Sequence, residues 1–182
     1  MISRIINFFK NLFKSKQPSA NKPASVPSSS SGLEVPPWMK IALAEKGVSE
    51  MPGRTHNKRI LEYHQVTTLK ATTDEVPWCA SFACWCLKQC GLWNPKSARA
   101  KDFATDGFFH RLARPVYGCI VVYSRIGGGH VDFYESGFGT GSIKGLGGNE
   151  GNRVADNSMP ESSVLGYFWP MDFPLPEGYV LA

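Results

Sequence analysis

The chain has 182 residues, which is enough for one domain with its own hydrophobic core and additional segments. Hydrophobic residues make up 42% of the chain, but no apolar run is long enough to cross a bilayer, so an integral membrane protein is not expected. The formal net charge is +5, and residues 1–32 account for all of it, with five basic residues and no acidic one. Residues 33–182 are formally neutral, so we expect no nucleic-acid-binding face on the domain.

The first predicted element is an amphipathic, basic helix over residues 1–16. Its apolar side chains fill one arc of a helical wheel, and cationic and amide side chains fill the opposite arc. The apolar positions proposed for membrane contact are Ile2, Ile5, Ile6, Phe9, Leu12 and Phe13. We expect this helix to lie in a membrane interface, where its cations favour anionic lipid. The alternative is a helix that docks on its own domain or on a partner.

Residues 17–35 are rich in Ser and Pro and predict a flexible linker, and residues 36–182 form the domain proper. Periodicity predicts helices first and strands afterwards. The helices are expected at 39–46, 57–65, 79–89 and 97–101, and the strands at 118–123, 130–135, 141–146 and 164–169. This order predicts an α+β fold, in which N-terminal helices pack on an antiparallel meander of strands.

The third predicted helix carries the main chemical signal. Pro77 disfavours helix in the residue before it, so the helix starts close behind and Cys79 falls in its first turn. Unpaired backbone amides and the helix dipole favour a thiolate there, and the amide of Cys79 could donate to an oxyanion. Cys79 also lies on the face of the helix that is predicted to pack inward, so a plain packing role is the alternative.

The other cysteines are predicted to be packing residues. The chain has five cysteines, an odd number, which argues against a disulfide framework and fits synthesis in a reducing cytoplasm. Cys86 and Cys90 share the inward face with Cys79, whereas Cys84 points elsewhere. The spacing lacks the paired C-x2-C pattern of structural zinc, and the glycines at 127–129 lack the features of a phosphate loop. We therefore expect no metal ion and no cofactor.

A histidine provides the partner for the thiol. His130 directly follows three glycines at the entrance of a predicted strand, where its side chain is free to reach a neighbour. A cysteine at a helix start and a nearby imidazole are the minimum equipment of a cysteine hydrolase. The remaining histidines, at positions 56, 64 and 110, are predicted to be surface or helix residues.

A third group is needed to orient the imidazole. Asn149 and Glu150 end the next strand, which an antiparallel pairing would place beside His130. Asp132 and Glu135 are weaker candidates because they lie on the strand of the histidine itself. Asn149 could instead be an ordinary turn residue after two glycines.

Taken together, these segments resemble the NlpC-type and CHAP-type papain-like cysteine peptidases, which cut bacterial cell-wall peptide. The resemblance covers roughly residues 36–170. It rests on residues 37–38, 74–82, 118–123, 129–134, 147–150 and 166–170. It implies a papain-like fold with Cys79 as nucleophile, His130 as base and Asn149 as orienting residue. The family often has glutamine where this chain has Glu150, so the third role stays open between Asn149 and Glu150.

The resemblance implies a peptidoglycan hydrolase that needs no metal. We expect a phage lysin or a virion-associated lytic enzyme, made in the bacterial cytoplasm, active at the cell wall and held near a membrane by its N-terminal helix. The alternatives are an interbacterial toxin amidase and a non-catalytic module that binds cell wall or membrane. Which peptidoglycan bond is cut stays open, because bond choice lies in the surrounding loops.

Overall fold

The computed structural model describes residues 34–179 and 181–182. The helices are α1 (Pro37–Ala44), α2 (Lys58–His64), α3 (Cys79–Gln89) and α4 (Asp102–Thr105). The strands are β1 (Phe109–Leu112), β2 (Ile120–Arg125), β3 (Gly128–Ser136), β4 (Ser142–Gly147), β5 (Ala155–Pro160) and β6 (Val164–Pro170). The predicted helix over 1–16, with its membrane-contact positions, and nearly all of the predicted linker lie outside the described residues. Within the described part of the chain, no helix has the length and apolarity to span a bilayer.

The strands form one antiparallel sheet in the order β1-β6-β2-β3-β4-β5. Strands β2 to β5 follow one another as a meander, and β6 returns to pair with both β1 and β2. The helices precede the sheet in the chain, so the predicted α+β class with an antiparallel sheet is confirmed. Strand β3 has a neighbour on each side, and its middle residues are buried. This central strand carries His130.

Helix α3 is buried on all sides over residues 79–87. It contacts α1 and α2 as well as strands β3 and β4. Cys84 Sγ donates a hydrogen bond of 3.6 Å to the carbonyl of Ser97, in the loop beyond the helix. The face that was predicted to pack inward is buried over these residues, and Cys84, which points elsewhere, is buried as well, because this loop and α2 cover the remaining faces.

Two strands were missed, and one short helix lies elsewhere than predicted. Strand β1 has only four residues, and β5 reads Ala-Asp-Asn-Ser-Met-Pro, which is too polar to show hydrophobic alternation. The helical piece predicted at 97–101 instead begins at Asp102, because Ser97 Oγ donates to the Asp102 carboxylate at 2.6 Å and accepts from the Arg99 amide at 3.1 Å. These bonds stabilise a turn in place of a helix.

Candidate active site

The start of helix α3 is fixed by the residue before it. Trp78 is the N-cap; its carbonyl accepts from the Phe82 amide at 2.9 Å, and its indole nitrogen donates to Glu50 Oε1 at 2.9 Å. Cys79 retains 8% exposure at this end of the helix, whereas Cys84 is fully buried. The chain therefore leaves one cysteine of the helix within reach of a substrate.

The other buried cysteines are in surroundings that suppress thiol ionisation. Burial raises the pKa of Cys84 to about 12, and it also raises the pKa of Cys86 and Cys119. These three side chains remain thiols at neutral pH, and they are poor nucleophiles. Their predicted packing role agrees with these positions.

A buried carboxylate anchors the loop that leads to Cys79. Asp74 accepts hydrogen bonds of 2.8 Å from the amides of Met51 and Asn57, and His56 Nδ1 lies 2.9 Å from its other oxygen. Burial alone would raise the pKa of Asp74, but these hydrogen bonds outweigh it and lower the pKa. The side chain thus stays ionised and joins two loops on one side of the site. Sequence reasoning assigned Asp74 no individual role, because its partners are backbone amides of a distant segment.

His64 lies beneath helix α3. It is fully buried, and its Nδ1 lies 3.1 Å from Ser81 Oγ. Burial lowers the pKa of His64, so the neutral imidazole is favoured. His64 thus belongs to the last turn of α2, as the prediction of a helix histidine allowed, but it is a core residue that supports the first turns of the cysteine helix.

His130 lies on β3 with 1% exposure, opposite Tyr123 of β2. Its Nε2 is 2.7 Å from Asp132 Oδ1 and contacts Glu150 Oε1. Asn157 Nδ2 of β5 lies 3.4 Å from the same nitrogen. One imidazole nitrogen is therefore surrounded by two carboxylates and an amide that come from three different segments.

Glycines at the end of β4 make room for this cluster. A Cβ atom at Gly147 would lie 2.0 Å from Asp132 Oδ1, and one at Gly145 would lie 2.9 Å from Asp132 Cβ. A Cβ atom at Gly148 would lie 2.6 Å from Phe82 Cβ and 2.7 Å from the Trp78 ring. The glycines thus permit the close approach of β4 to both the carboxylate on β3 and the start of α3.

The charged groups of the cluster shift one another's pKa values. Burial lowers the pKa of His130, but the charge of Asp132 and hydrogen bonds to Asp132, Cys79 and Glu150 outweigh it, so the pKa lies well above its usual range. Burial would raise the pKa of Glu150, yet its hydrogen bond to His130 lowers it. Burial raises the pKa of Asp132. The arrangement favours an imidazolium between two carboxylates, of which Asp132 has the raised pKa and Glu150 the lowered one.

The other imidazole nitrogen, Nδ1, has neither carboxylate beside it. Because both carboxylates approach Nε2, Nδ1 is the ring atom left for Cys79, whose interaction favours the protonated imidazole. Nδ1 is buried and has no hydrogen-bond partner within the described residues. A thiolate and an imidazolium in this relation can supply a nucleophile and then a proton for a leaving group.

Asn149 does not take part in these contacts. Its backbone has a φ of 63°, the left-handed conformation, and no hydrogen bond links its side chain to His130 in the described part of the chain. This conformation is typical of asparagine in turns. The residues that the structure brings to His130 are Glu150 and Asp132. The expectation that Asp132 is a weaker candidate does not fit, because residues two apart on a strand share a face.

Asn157 is the contact that sequence reasoning missed. It lies on the edge strand β5, opposite Gly145. Its hydrogen bonds oppose the rise that burial causes in the pKa of Asp132, and they contribute, after His130, to the lowered pKa of Glu150. The sequence around it carries no recognisable strand pattern, so nothing local indicated that this amide reaches the imidazole.

The same side chains are those that could hold a metal ion. One ligand atom from each of His130, Asp132 and Glu150 lies within 4.8 Å of the others. Ligands of a tetrahedral zinc ion at bond lengths of about 2.0–2.1 Å would stand about 3.3 Å apart. His130 Nε2 and Asp132 Oδ1 are separated by 2.7 Å, which is a hydrogen-bond distance. The spacing fits an acid–base cluster better than a prepared metal site.

Comparison with known proteins agrees with this geometry. The family model of the CHAP domain matches residues 71–149, a segment that includes both Cys79 and His130. The resemblance to CHAP-type papain-like enzymes is thereby confirmed for this segment. CHAP domains are in general cysteine- and histidine-dependent amidases or peptidases of peptidoglycan, and the match over residues 71–149 is the ground on which this activity is proposed below. No curated protein and no solved structure gives a significant match to the chain.

Proposed function

We propose that this protein is a peptidoglycan hydrolase in which Cys79 attacks an amide carbonyl of cell-wall peptide. The observation that carries the proposal is the environment of His130, a buried imidazole with two carboxylates at Nε2 and no hydrogen-bond partner at Nδ1 within the described residues. We assign Nδ1 to the thiol of Cys79. The CHAP match supports the substrate class.

The chemistry follows from these positions. The thiolate of Cys79 forms a thioester with the carbonyl carbon, and the backbone amide of Cys79 at the helix start donates to the oxyanion. The imidazolium of His130 gives its proton to the leaving amine. Water then attacks the thioester and gives a proton to neutral His130; the C–S bond breaks, the new carboxylic acid leaves, and the thiolate and the imidazolium are restored.

Glu150 is the group that we assign to orient His130, with Asp132 as a second carboxylate. Glu150 contacts Nε2 from outside the strand of the histidine, and its pKa is lowered by the hydrogen bond to His130. An ionised acceptor at Nε2 fixes the tautomer and the ring orientation and stabilises the imidazolium. In this assignment Asn149 has a structural role: its left-handed backbone conformation forms the turn that places Glu150 beside His130.

The domain organisation and the cellular role are part of the proposal. We propose the organisation that the sequence predicts, with an amphipathic helix at residues 1–16, a flexible linker at 17–35 and the hydrolase domain at 36–182. The helix holds the enzyme at a membrane next to its polymeric substrate, as a phage lysin or a virion-associated lytic enzyme requires. The basic, acid-free composition of residues 1–32 supports attraction to anionic lipid.

The catalytic assignment is tested with purified cell walls. Cys79→Ala and His130→Ala should abolish release of soluble muropeptides, whereas Cys90→Ala, a change at a cysteine outside the site, should retain it. Mass spectrometry of the products identifies the bond that is cut. Release at the wild-type rate by both site variants would refute the proposal. Sedimentation with walls and no release by the wild type would favour a non-catalytic binding module.

The membrane assignment has a separate test. Full-length protein and a variant without residues 1–32 are mixed with vesicles that contain anionic lipid, and flotation is measured at low and high salt. We expect flotation of the full-length protein alone, and we expect salt to weaken it. Equal flotation of the two proteins would exclude the anchor.

A further inference from the structure

A cleft with a volume of 630 Å³ opens beside the candidate active site. Its walls are Gly47, residues 49–53, Glu75 and residues 151–153. The volume is within the range of about 300–1,000 Å³ that is usual for ligand sites. The cleft is continuous along the chain with the catalytic cluster, because Glu75 lies in the segment that leads to Cys79 and residue 151 directly follows Glu150.

Backbone hydrogen bonds connect the two walls of this cleft in the absence of a ligand. Ser49 and Arg153 form an antiparallel bridge, and the Glu50 amide donates to the Asn152 carbonyl at 2.9 Å. The Glu150 amide donates to the Arg153 carbonyl at 2.8 Å. The same ladder therefore supports the cleft and the turn that carries Glu150. A preformed site of this kind loses little entropy when it binds a ligand.

The charges in the cleft define what it can bind. Glu50, Glu75 and Arg153 line it, and none of these three side chains takes part in an ion pair within the described residues. Glu50 accepts the indole hydrogen bond of Trp78 through Oε1, which orients the carboxylate. The apolar side chains of the lining are those of Met51 and Pro52, beside these three charged groups. The cleft is thus suited to a polar ligand with at least one cation and one anion.

We propose that this cleft binds the part of the substrate peptide that carries a primary ammonium group and a carboxylate. The ammonium lies between Glu50 and Glu75, and the carboxylate pairs with Arg153. Wall peptides contain diamino acids whose side-chain amine is free where no cross-link has formed, so the cleft selects uncross-linked peptide. This inference rests on the proposed function and names its substrate more closely.

The test uses the full-length Cys79→Ala protein, which binds without turnover, and a synthetic wall peptide that contains lysine. Calorimetry compares the peptide with its Nε-acetylated form and with its C-terminal amide. Acetylation should weaken binding at least about tenfold, because a charge-assisted hydrogen bond is lost. In the Glu50→Gln/Glu75→Gln background, the two peptides should bind alike. Glu50→Gln keeps an acceptor for Trp78, so the helix start is preserved.

Matched variants separate the cleft from general charge effects. Arg153→Gln should remove the preference for the free carboxylate over the amide. Glu34→Gln, at a side chain with 91% exposure that pairs with Lys40, should leave both preferences intact.

The outcomes distinguish the inference from the proposed function. Equal affinity for the free and acetylated peptides, with the wild type still digesting walls, would overturn the inference alone. Amine-dependent binding together with a wild type that digests no walls would overturn the proposed function.

Discussion

Glu150 and Asn149 are neighbours in one turn, but only the substitution of Glu150 should lower the activity strongly. Glu150→Gln removes the charge at His130 Nε2, so we expect kcat/KM on cell-wall substrate to fall by about 100-fold or more. Asn149→Gly keeps the backbone, because glycine adopts a φ of 63° without strain, and activity should stay within about threefold. Steady-state release of muropeptides measures both. If Asn149→Gly lost as much activity as Cys79→Ala while Glu150→Gln remained active, the orienting role would pass to Asn149.

Asp132 should set the alkaline limit of activity. Its charge is the largest influence that raises the pKa of His130 against burial, so Asp132→Asn should lower that pKa while nearly preserving side-chain volume. The imidazolium that protonates the leaving group is then lost at lower pH, and the alkaline limb of the profile of kcat/KM against pH should move down by at least about one pH unit. Glu135→Gln, on the same strand, serves as control. An unmoved alkaline limb in Asp132→Asn would mean that this carboxylate does not control the imidazole.

At the scale of elements, the contact between the end of β4 and the start of α3 determines the site geometry. Gly148→Ala would place a Cβ atom 2.6 Å from Phe82 Cβ and 2.7 Å from the Trp78 ring, so the first turn of the cysteine helix must shift. We expect the free energy of unfolding in urea to fall by about 1–3 kcal/mol, as is typical of overpacking. Gly107→Ala is the matched control, since a Cβ atom there meets nothing within 4 Å. Equal stability of both variants would show that β4 has room to move.

Local patterns were sufficient to predict the elements that carry Cys79 and His130. Pro77 fixes a helix start, and the apolar run after the glycines marks a strand, which begins at Gly128, two residues before the predicted start. Both signals depend on nearby residues. Asn157 could not be found in this way, because it reaches His130 only after β5 has paired with β4 at the edge of the sheet. The second carboxylate was undervalued for a related reason: whether Asp132 turns toward the imidazole depends on the space that Gly147 leaves on the next strand.

For the molecule as a whole, the buried cluster should make stability depend on pH in a predictable direction. The folded pKa of His130 is raised, so its contribution is complete below the ordinary histidine pKa of about 6.5 and is lost as pH rises toward the folded value. The folded pKa of Glu150 is lowered, so its contribution is complete above about 4.3 and is lost as pH falls. Both contributions are fully present only between these values.

His64 changes the stability in the opposite direction to His130. Burial lowers the pKa of His64, so its contribution to the free energy of unfolding is complete above about pH 6.5 and is lost as pH falls. The contribution of His130 is isolated by comparison of the wild type with His130→Gln in urea unfolding at several pH values. We expect the difference in free energy of unfolding to be largest near pH 6 and to shrink steadily up to pH 10, since only the wild type loses the imidazolium. His110→Gln, a change outside the site, should give a difference that does not shrink in this way. A difference that grows with pH would show that His130 is neutral in the folded protein and would remove the thiolate–imidazolium pair from the mechanism.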